Sequence, residues 1–511
     1  MRRVIYALIV SLIAVVPAVR SQTSTTAPAS PAVGARGANQ PKPKIEDCSC
    51  ESQILPEVLA IVNGVTVTRK DVTKATGDAV SRLQRQVIEA RKRELDLMIN
   101  SRLLALEAKK RGVSTTKLLE QEVVAKVARP TTSEAQAFYN QNKGRIAEDF
   151  KDVVDDIIRY LLDLRQRAEA KKFADGLRAV SETKVLVTEV TPVSNEADRA
   201  RVLATINGES VTLGEIEDSL LPMIFDVQEQ VYGLRKEELD RSINDTLLAQ
   251  EAQRRKITIH ALLDAEVRPK TVTDEEVRKF YEENKDRVSG DLAQTKDAIR
   301  RYLEQIEVRR SERAFLDRLR ATALLQVFLI APESPVFSIS TIDQPSLGNT
   351  NAAVTIVVFT DYQCPTCAVI HPELERLVKE FGDKIRIVAR DFPLDQHAEA
   401  FKAAEAAEAA REQGKYWEYI HVLMQNQSAL AVENLKTYAC EVGLDPDRFD
   451  AALDSGKFAP LVQRDIDDGI KLGLKGTPSL FINGRRVAAT TYEDLKIRIE
   501  AALKSSVLAG R

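Results

Sequence analysis

Aromatic residues are scarce in this chain, only 5% of positions, and that shortage fits helix-rich segments better than an all-β protein. A charge excess of either sign is also missing. The 73 Lys and Arg stand against 76 Asp and Glu, so no global field favours nucleic acid or an acidic membrane surface. Beyond the N-terminus, no apolar run is long enough to span a bilayer. Cysteine and histidine are few: five cysteines fall as Cys48-Ser49-Cys50, Cys364-Pro365-Thr366-Cys367 and a lone Cys440, beside four histidines. A zinc site on Cys364 and Cys367 would need two more ligands, and Cys440, His371, His397 and His421 form no second closely spaced pair. No metal and no cofactor is expected.

What the chain has is length. Its 511 residues exceed one core and imply about two to four domains, at roughly 100 to 200 residues each. Met1-Arg2-Arg3 followed by the apolar run Val4 to Val19 reads as a secretory signal over residues 1–20, with an uncleaved anchor as the alternative. Export to the periplasm or cell envelope would put the cysteines where disulfides persist. Residues 21–55, rich in Ser, Thr, Ala, Pro and Gly, read as a flexible linker. Cys48 and Cys50 within it read either as an auxiliary redox pair or as a local or intermolecular disulfide.

The middle of the chain repeats itself. Ala60-Ile61-Val62-Asn63-Gly64 recurs as Ala204-Thr205-Ile206-Asn207-Gly208, and Glu94-Leu95-Asp96 with Ile99-Asn100 recurs as Glu238-Leu239-Asp240 with Ile243-Asn244. Phe138-Tyr139 returns as Phe280-Tyr281, and Arg159-Tyr160-Leu161 as Arg301-Tyr302-Leu303. Two copies of one unit follow, at 56–191 and 200–332. Val80, Leu83, Val87, Leu95, Ile99 and Leu103, and their counterparts from Ile224 to Leu247, keep the three- and four-residue spacing of long amphipathic helices. Val185 to Val190 and Leu325 to Ile330 read as closing strands, each expected to pair with the opening strand of its own unit.

On these residues, with Glu275-Glu276-Val277-Arg278-Lys279-Phe280-Tyr281, the modules resemble the chaperone core of SurA-like periplasmic folding factors. Only a few residues follow Lys143 and Lys285 before the next helix, so the parvulin isomerase domain of that family has no room and no prolyl isomerase activity is expected. The resemblance implies a surface that holds unfolded polypeptide. Spacer or dimerisation modules are the other reading, since helical periodicity reports a core and not a groove.

The remaining third carries chemistry. Ala353 to Asp361 is a continuous apolar and β-branched run suited to a buried strand, and Cys364-Pro365-Thr366-Cys367 follows directly, before a helical pattern. That order puts Cys364 at a helix N-terminus, where backbone amides and the helix dipole favour thiolate, and leads to an exposed first sulfur. Cys367, one turn on, can resolve a mixed disulfide formed at Cys364, and Pro365 suits the first helical turn. Thr477-Pro478 then opens a strand that ends in the Asn483-Gly484 turn.

Together these features resemble the DsbA-like thioredoxin-fold oxidoreductases, over nearly all of 345–507. The resemblance implies a cis Pro478 facing the cysteines, with the Thr477 backbone free to pair with a substrate strand and Pro365 and Thr366 also binding substrate. Val358 stands where thioredoxin relatives place a buried acid, which leaves water or Asp361 to move the proton of Cys367. His371, His397 and His421 read as surface or capping residues, Cys440 as a buried small hydrophobe, and Tyr416 and Trp417 as core aromatics.

The expected architecture is multi-domain: two all-α-dominated SurA-like modules, each with a small strand pair, and an α/β thioredoxin fold with a helical insertion. The expected function is an exported thiol-disulfide oxidoreductase acting on unfolded or extended secreted proteins through Cys364, Cys367 and Pro478, recycled by a membrane redox partner, with no nucleic acid involved. A non-catalytic folding chaperone and a dedicated reductase in cytochrome or metal-centre maturation are the alternatives.

Overall fold

The structure, a computed structural model, describes residues 55–146, 148–193, 195–285, 288–488 and 491–509. The signal segment, the linker up to residue 54 and the Cys48 and Cys50 pair lie outside the described residues. The chain divides into two compact units, one of residues up to 220 together with 226–332, the other of 221–225 together with 333 onward.

In the first unit the two repeats build the same series of elements. The first runs β1 (Val58–Val62), β2 (Val65–Thr68), α1 (Arg69–Lys110), α2 (Thr115–Glu122), α3 (Thr132–Asn142), α4 (Phe150–Val180) and β3 (Thr183–Val185). The second runs β4 (Val202–Ile206), β5 (Glu209–Thr212), α5 (Leu213–Arg255), α6 (Ile259–Glu266), α7 (Asp274–Glu283), α8 (Leu292–Thr322) and β6 (Leu325–Val327). Each opening hairpin turns through Asn-Gly with positive φ at both residues, 49° and 86° at Asn63 and Gly64, 47° and 89° at Asn207 and Gly208. This is the tight turn that matches strand twist. The long helices start on capping boxes, Thr68 with Asp71 and Thr212 with Glu215, and the shorter α3 and α7 on Thr131 with Glu134 and Thr273 with Glu276.

The strand pairing corrects the sequence reading. β6 pairs with β1, and β3 pairs with β4, so each three-stranded sheet joins the opening hairpin of one repeat to the closing strand of the other. The closing strands are also shorter than expected. Chain length accounts for the exchange: only residues 186–201 separate β3 from β4, whereas four helices separate β2 from β3, so the shorter loop closes at lower entropic cost. β1 is then left an open edge, which β6 fills.

The Asn-Gly asparagines fasten this exchange. Asn63 Oδ1 accepts from the Leu324 amide at 2.8 Å, and Asn207 Oδ1 from the Glu182 amide at 2.9 Å, just ahead of β6 and β3. The repeated Asp and Asn of the long helices receive one arginine each. Arg178 reaches Asp96 and Asn100, and Arg320 reaches Asp240 and Asn244. Leu59, Val62 and Val67 of the first hairpin pack with Leu239, Ile243 and Leu247 of α5. Burying each such side chain contributes roughly 1.5 to 3 kcal/mol. Arg91 of α1, with no exposure, pairs with Glu217 of α5 at 2.6 Å.

The second unit holds a five-stranded sheet in the order β11 (Arg485–Val487), β10 (Ser479–Ile482), β8 (Val354–Thr360), β9 (Ile385–Asp391), β7 (Ser346–Gly348). Its elements are β7 (Ser346–Gly348), β8 (Val354–Thr360), α9 (Pro365–Phe381), β9 (Ile385–Asp391), α10 (Ala400–Glu412), α11 (Tyr416–Gln425), α12 (Val432–Glu441), α13 (Pro446–Asp454), α14 (Ala459–Lys471), β10 (Ser479–Ile482), β11 (Arg485–Val487) and α15 (Tyr492–Ala509). β8 and β9 are parallel, and the other pairs are antiparallel. The near-continuous apolar run of β8 fits a central strand covered on both faces. The antiparallel register sets Ser479 opposite Phe359, which brings the start of β10 to the end of β8 where α9 begins.

Candidate active site

Cys364 is the N-cap of α9, with extended backbone at φ −78° and ψ 119°, and Pro365 occupies the first turn. Its amide donates to Asp361 O at 3.1 Å, and its carbonyl accepts from the Cys367 amide at 3.0 Å. A second clamp comes from Gln427, whose Nε2 donates to Cys364 O at 2.8 Å and to Tyr362 O at 3.0 Å. The Thr477-Pro478 peptide is cis, and Cys364 Sγ lies 3.3 Å from Thr477 O. The geometry thus brings together Cys364, Cys367, Thr477 and Pro478, residues far apart in sequence.

The first sulfur is less open than the sequence led one to expect. Cys364 is 7% exposed and Cys367 is fully buried, because both belong to the core cluster that holds Tyr362, Ile370 and Leu374. Pro365 and Thr366 are exposed, as is Val369 on the next turn, so they form an exposed rim around a recessed sulfur.

Recessed as it is, the sulfur is set up for charge. A hydrogen bond from the Cys367 thiol, offset by burial and supported by Thr477 and the Cys367 and Thr366 amides, holds the Cys364 thiol down at about 5. Cys367 moves the other way, pushed far up by its bond to Cys364 and by burial. Thr477 Oγ1 is buried with no hydrogen-bond partner, and its hydroxyl favours negative charge on either sulfur. At neutral pH, Cys364 is therefore the thiolate and Cys367 the protonated partner.

Several surrounding residues differ from expectation. Asp361 is buried, its Oδ1 accepting from the Gln363 amide at 2.7 Å and its Oδ2 from the Leu394 amide at 2.8 Å. His397 Nδ1 lies 2.8 Å from Asp361 Oδ2, so His397 is not a plain surface residue but the partner of that carboxylate. His371 is also buried, at 5% exposure, whereas His421 is largely open. Cys440 is exposed, because α12 turns Leu435, Tyr438 and Ala439 inward instead. Tyr416 is a core residue as expected, and Trp417 packs against the core partly buried.

Sequence reasoning missed two groups. With Val358 in the acid position, β9 supplies a buried carboxylate in Asp391, whose Oδ1 accepts from the Tyr362 hydroxyl at 3.1 Å. Burial, with Glu408 and Asp465 nearby, pushes Asp391 well above the carboxylate range. Gln427 was the other. It lies in a polar turn between helices, where nothing in the local pattern distinguishes a clamp from a solvated loop.

Residues 340–501 match the thioredoxin family model. The unit is a thioredoxin-like α/β domain following a helix-rich region. Curated relatives include Na(+)/H(+) antiporter NhaA 1 of Salinispora arenicola, 40% identical over 164 residues, 32% of this chain and 24% of that protein. NhaA of Herminiimonas arsenicoxydans is 38% identical over 140 residues, 27% of this chain and 22% of that one. The chain thus spans about a quarter of the length of the curated relatives it matches. Among the described residues, no helix is long and apolar enough to cross a membrane. Similar solved structures include BdbD from Bacillus subtilis, with 25% identity, TM-score 0.32, and coverage of 34% of this chain and 100% of that one. A thioredoxin-like oxidoreductase from Silicibacter pomeroyi has 30% identity, TM-score 0.30, and coverage of 32% and 94%.

Proposed function

We propose that the chain is an exported thiol-disulfide oxidoreductase of the cell envelope that acts on unfolded or extended protein clients. The carrying observation is the Cys364 sulfur at a helix N-cap, held down at about 5 beside a protonated Cys367 and 3.3 Å from Thr477 O. The Cys364 thiolate attacks one sulfur of a client disulfide; the new S–S bond forms as the client bond breaks, and the other client sulfur leaves as thiolate. Cys367 then gives up its proton and attacks Cys364 Sγ. The client thiolate is released, the Cys364-Cys367 disulfide forms, and two electrons have passed to the client. Run in reverse, the same steps oxidise a client dithiol, and a membrane redox partner resets the pair. Pro365, Thr366, Thr477 and Pro478 line the approach to the sulfur, and Thr477 offers its backbone to an extended client strand.

The first unit, by its resemblance to SurA-like cores, holds the client. In its sheets, β3 and β6 are outer strands, and they and the residues after them expose Val185, Leu186, Val327, Phe328 and Ile330. An extended segment could add to such an edge through main-chain hydrogen bonds while these side chains cover its apolar residues.

The test is trapping. A Cys367→Ala chain offered reduced-and-reoxidised clients should accumulate mixed disulfides at Cys364, and a Cys364→Ala chain should form none. A chain that protects clients from aggregation equally well in both variants, with no adduct in either, would instead be a non-catalytic chaperone. The reduction potential sets the direction: about −120 mV marks an oxidant and about −270 mV a reductant. A reductive value with a narrow client set would indicate dedicated maturation of cytochromes or metal centres.

A further inference from the structure

One cluster of ligating side chains stands outside the redox pair. His371 and Glu375 lie one turn apart on α9, and His421 faces them from α11. His371 Nε2 is 3.3 Å from Glu375 Oε1, and His421 Nδ1 is 3.7 Å from the same oxygen. One ligand atom from each of the three residues lies within 4.8 Å of the others. Ligands held about 2.0 to 2.2 Å from a tetrahedral ion stand roughly 3.3 to 3.6 Å apart, so small side-chain movements would close this set around one ion.

An ordinary helical His-Glu contact does not account for the arrangement. His371 is buried, and its Nε2 makes no hydrogen bond although a carboxylate oxygen is 3.3 Å away. Two groups that point their lone pairs at a common third point are close without being aligned on each other. An unpartnered ring nitrogen in a buried site is otherwise unfavourable. The outer nitrogen of His421 has its own partner, the Gln425 side-chain amide at 2.8 Å. The atom placed there is the amide nitrogen, which donates to Nε2; a half-turn of that amide brings its oxygen to Nε2–H and leaves the Nδ1 lone pair for an ion, the usual support for a ligating histidine.

We propose that His371, Glu375 and His421 form a site for one borderline divalent transition-metal ion of the zinc class. Two imidazoles and a carboxylate suit such ions and disfavour calcium or magnesium, which prefer oxygen. Three protein ligands leave a coordination position open, on the side where His421 is 47% exposed. Bound there, the ion clamps the helix that carries Cys364 and Cys367 to the helical insertion.

Cobalt(II) is the probe, added to the metal-free full-length chain with the Cys364-Cys367 pair oxidised. The site predicts one saturable equivalent, with visible d–d bands, no intense near-ultraviolet thiolate band, and displacement by zinc. His421→Ala, a change at a largely exposed position, and Glu375→Gln should each weaken binding at least tenfold. No saturable binding by the unaltered chain, a thiolate band, or affinity unchanged in both variants would overturn the site.

Discussion

Each of the two cysteines is explained by what its sulfur touches. Cys364 takes the charge because the neighbouring Cys367 thiol and the Cys367 and Thr366 amides favour it, and Cys367 is denied charge by the same contact and by full burial. Their spacing before an apolar helix made both legible in the sequence. Asp391 and Glu408 were not, because a buried acid has no local signature; its burial comes from elements distant in the chain. Burial, only partly offset by Arg411, pushes Glu408 up to about 7, above the roughly 4.3 of an unfolded glutamate. Between those values the folded chain keeps a proton that the unfolded chain has lost, so stability falls as pH rises through that window, by on the order of 3 kcal/mol. Asp391, also raised, adds in the same direction. Denaturation of the oxidised chain at pH 4.5 and pH 8 should show this loss, and Glu408→Gln should reduce it; an equal slope in the variant would remove Glu408 as the source.

At the scale of elements, the repeat itself was readable, because the Asn-Gly turns and the three- and four-residue spacing of the long helices are local signals. The redox strand, helix and distal proline were equally local. Strand partnership was not, since β1 and β4 carry nearly the same sequence and either could accept either closing strand; loop length decides between them. The repeated Asp and Asn of the long helices also gained a meaning that periodicity could not supply, as the seats of Arg178 and Arg320. Arg320→Ala should therefore cost about 1 to 2 kcal/mol, the scale of a few partly screened charged hydrogen bonds, in the unfolding free energy of the first unit. A loss below about 0.3 kcal/mol would mean that this seat contributes little to stability.

For the molecule as a whole, strand exchange makes the two repeats one folding unit. A fragment of 56–191 lacks β6 to complete its hairpin and β4 to receive β3, so it should show no cooperative unfolding transition, whereas 56–332 should unfold cooperatively by circular dichroism. A stable, cooperative 56–191 would show that a repeat can close on itself, as the sequence alone suggested. The redox unit bears most directly on function, which requires Cys364 to be a thiolate at neutral pH. The pH profile of Cys364 alkylation in the reduced full-length chain tests this: the rate should be flat above pH 6 and fall with a midpoint near about 5, with Cys367 unmodified. A midpoint near about 8.5, that of an ordinary thiol, would contradict it.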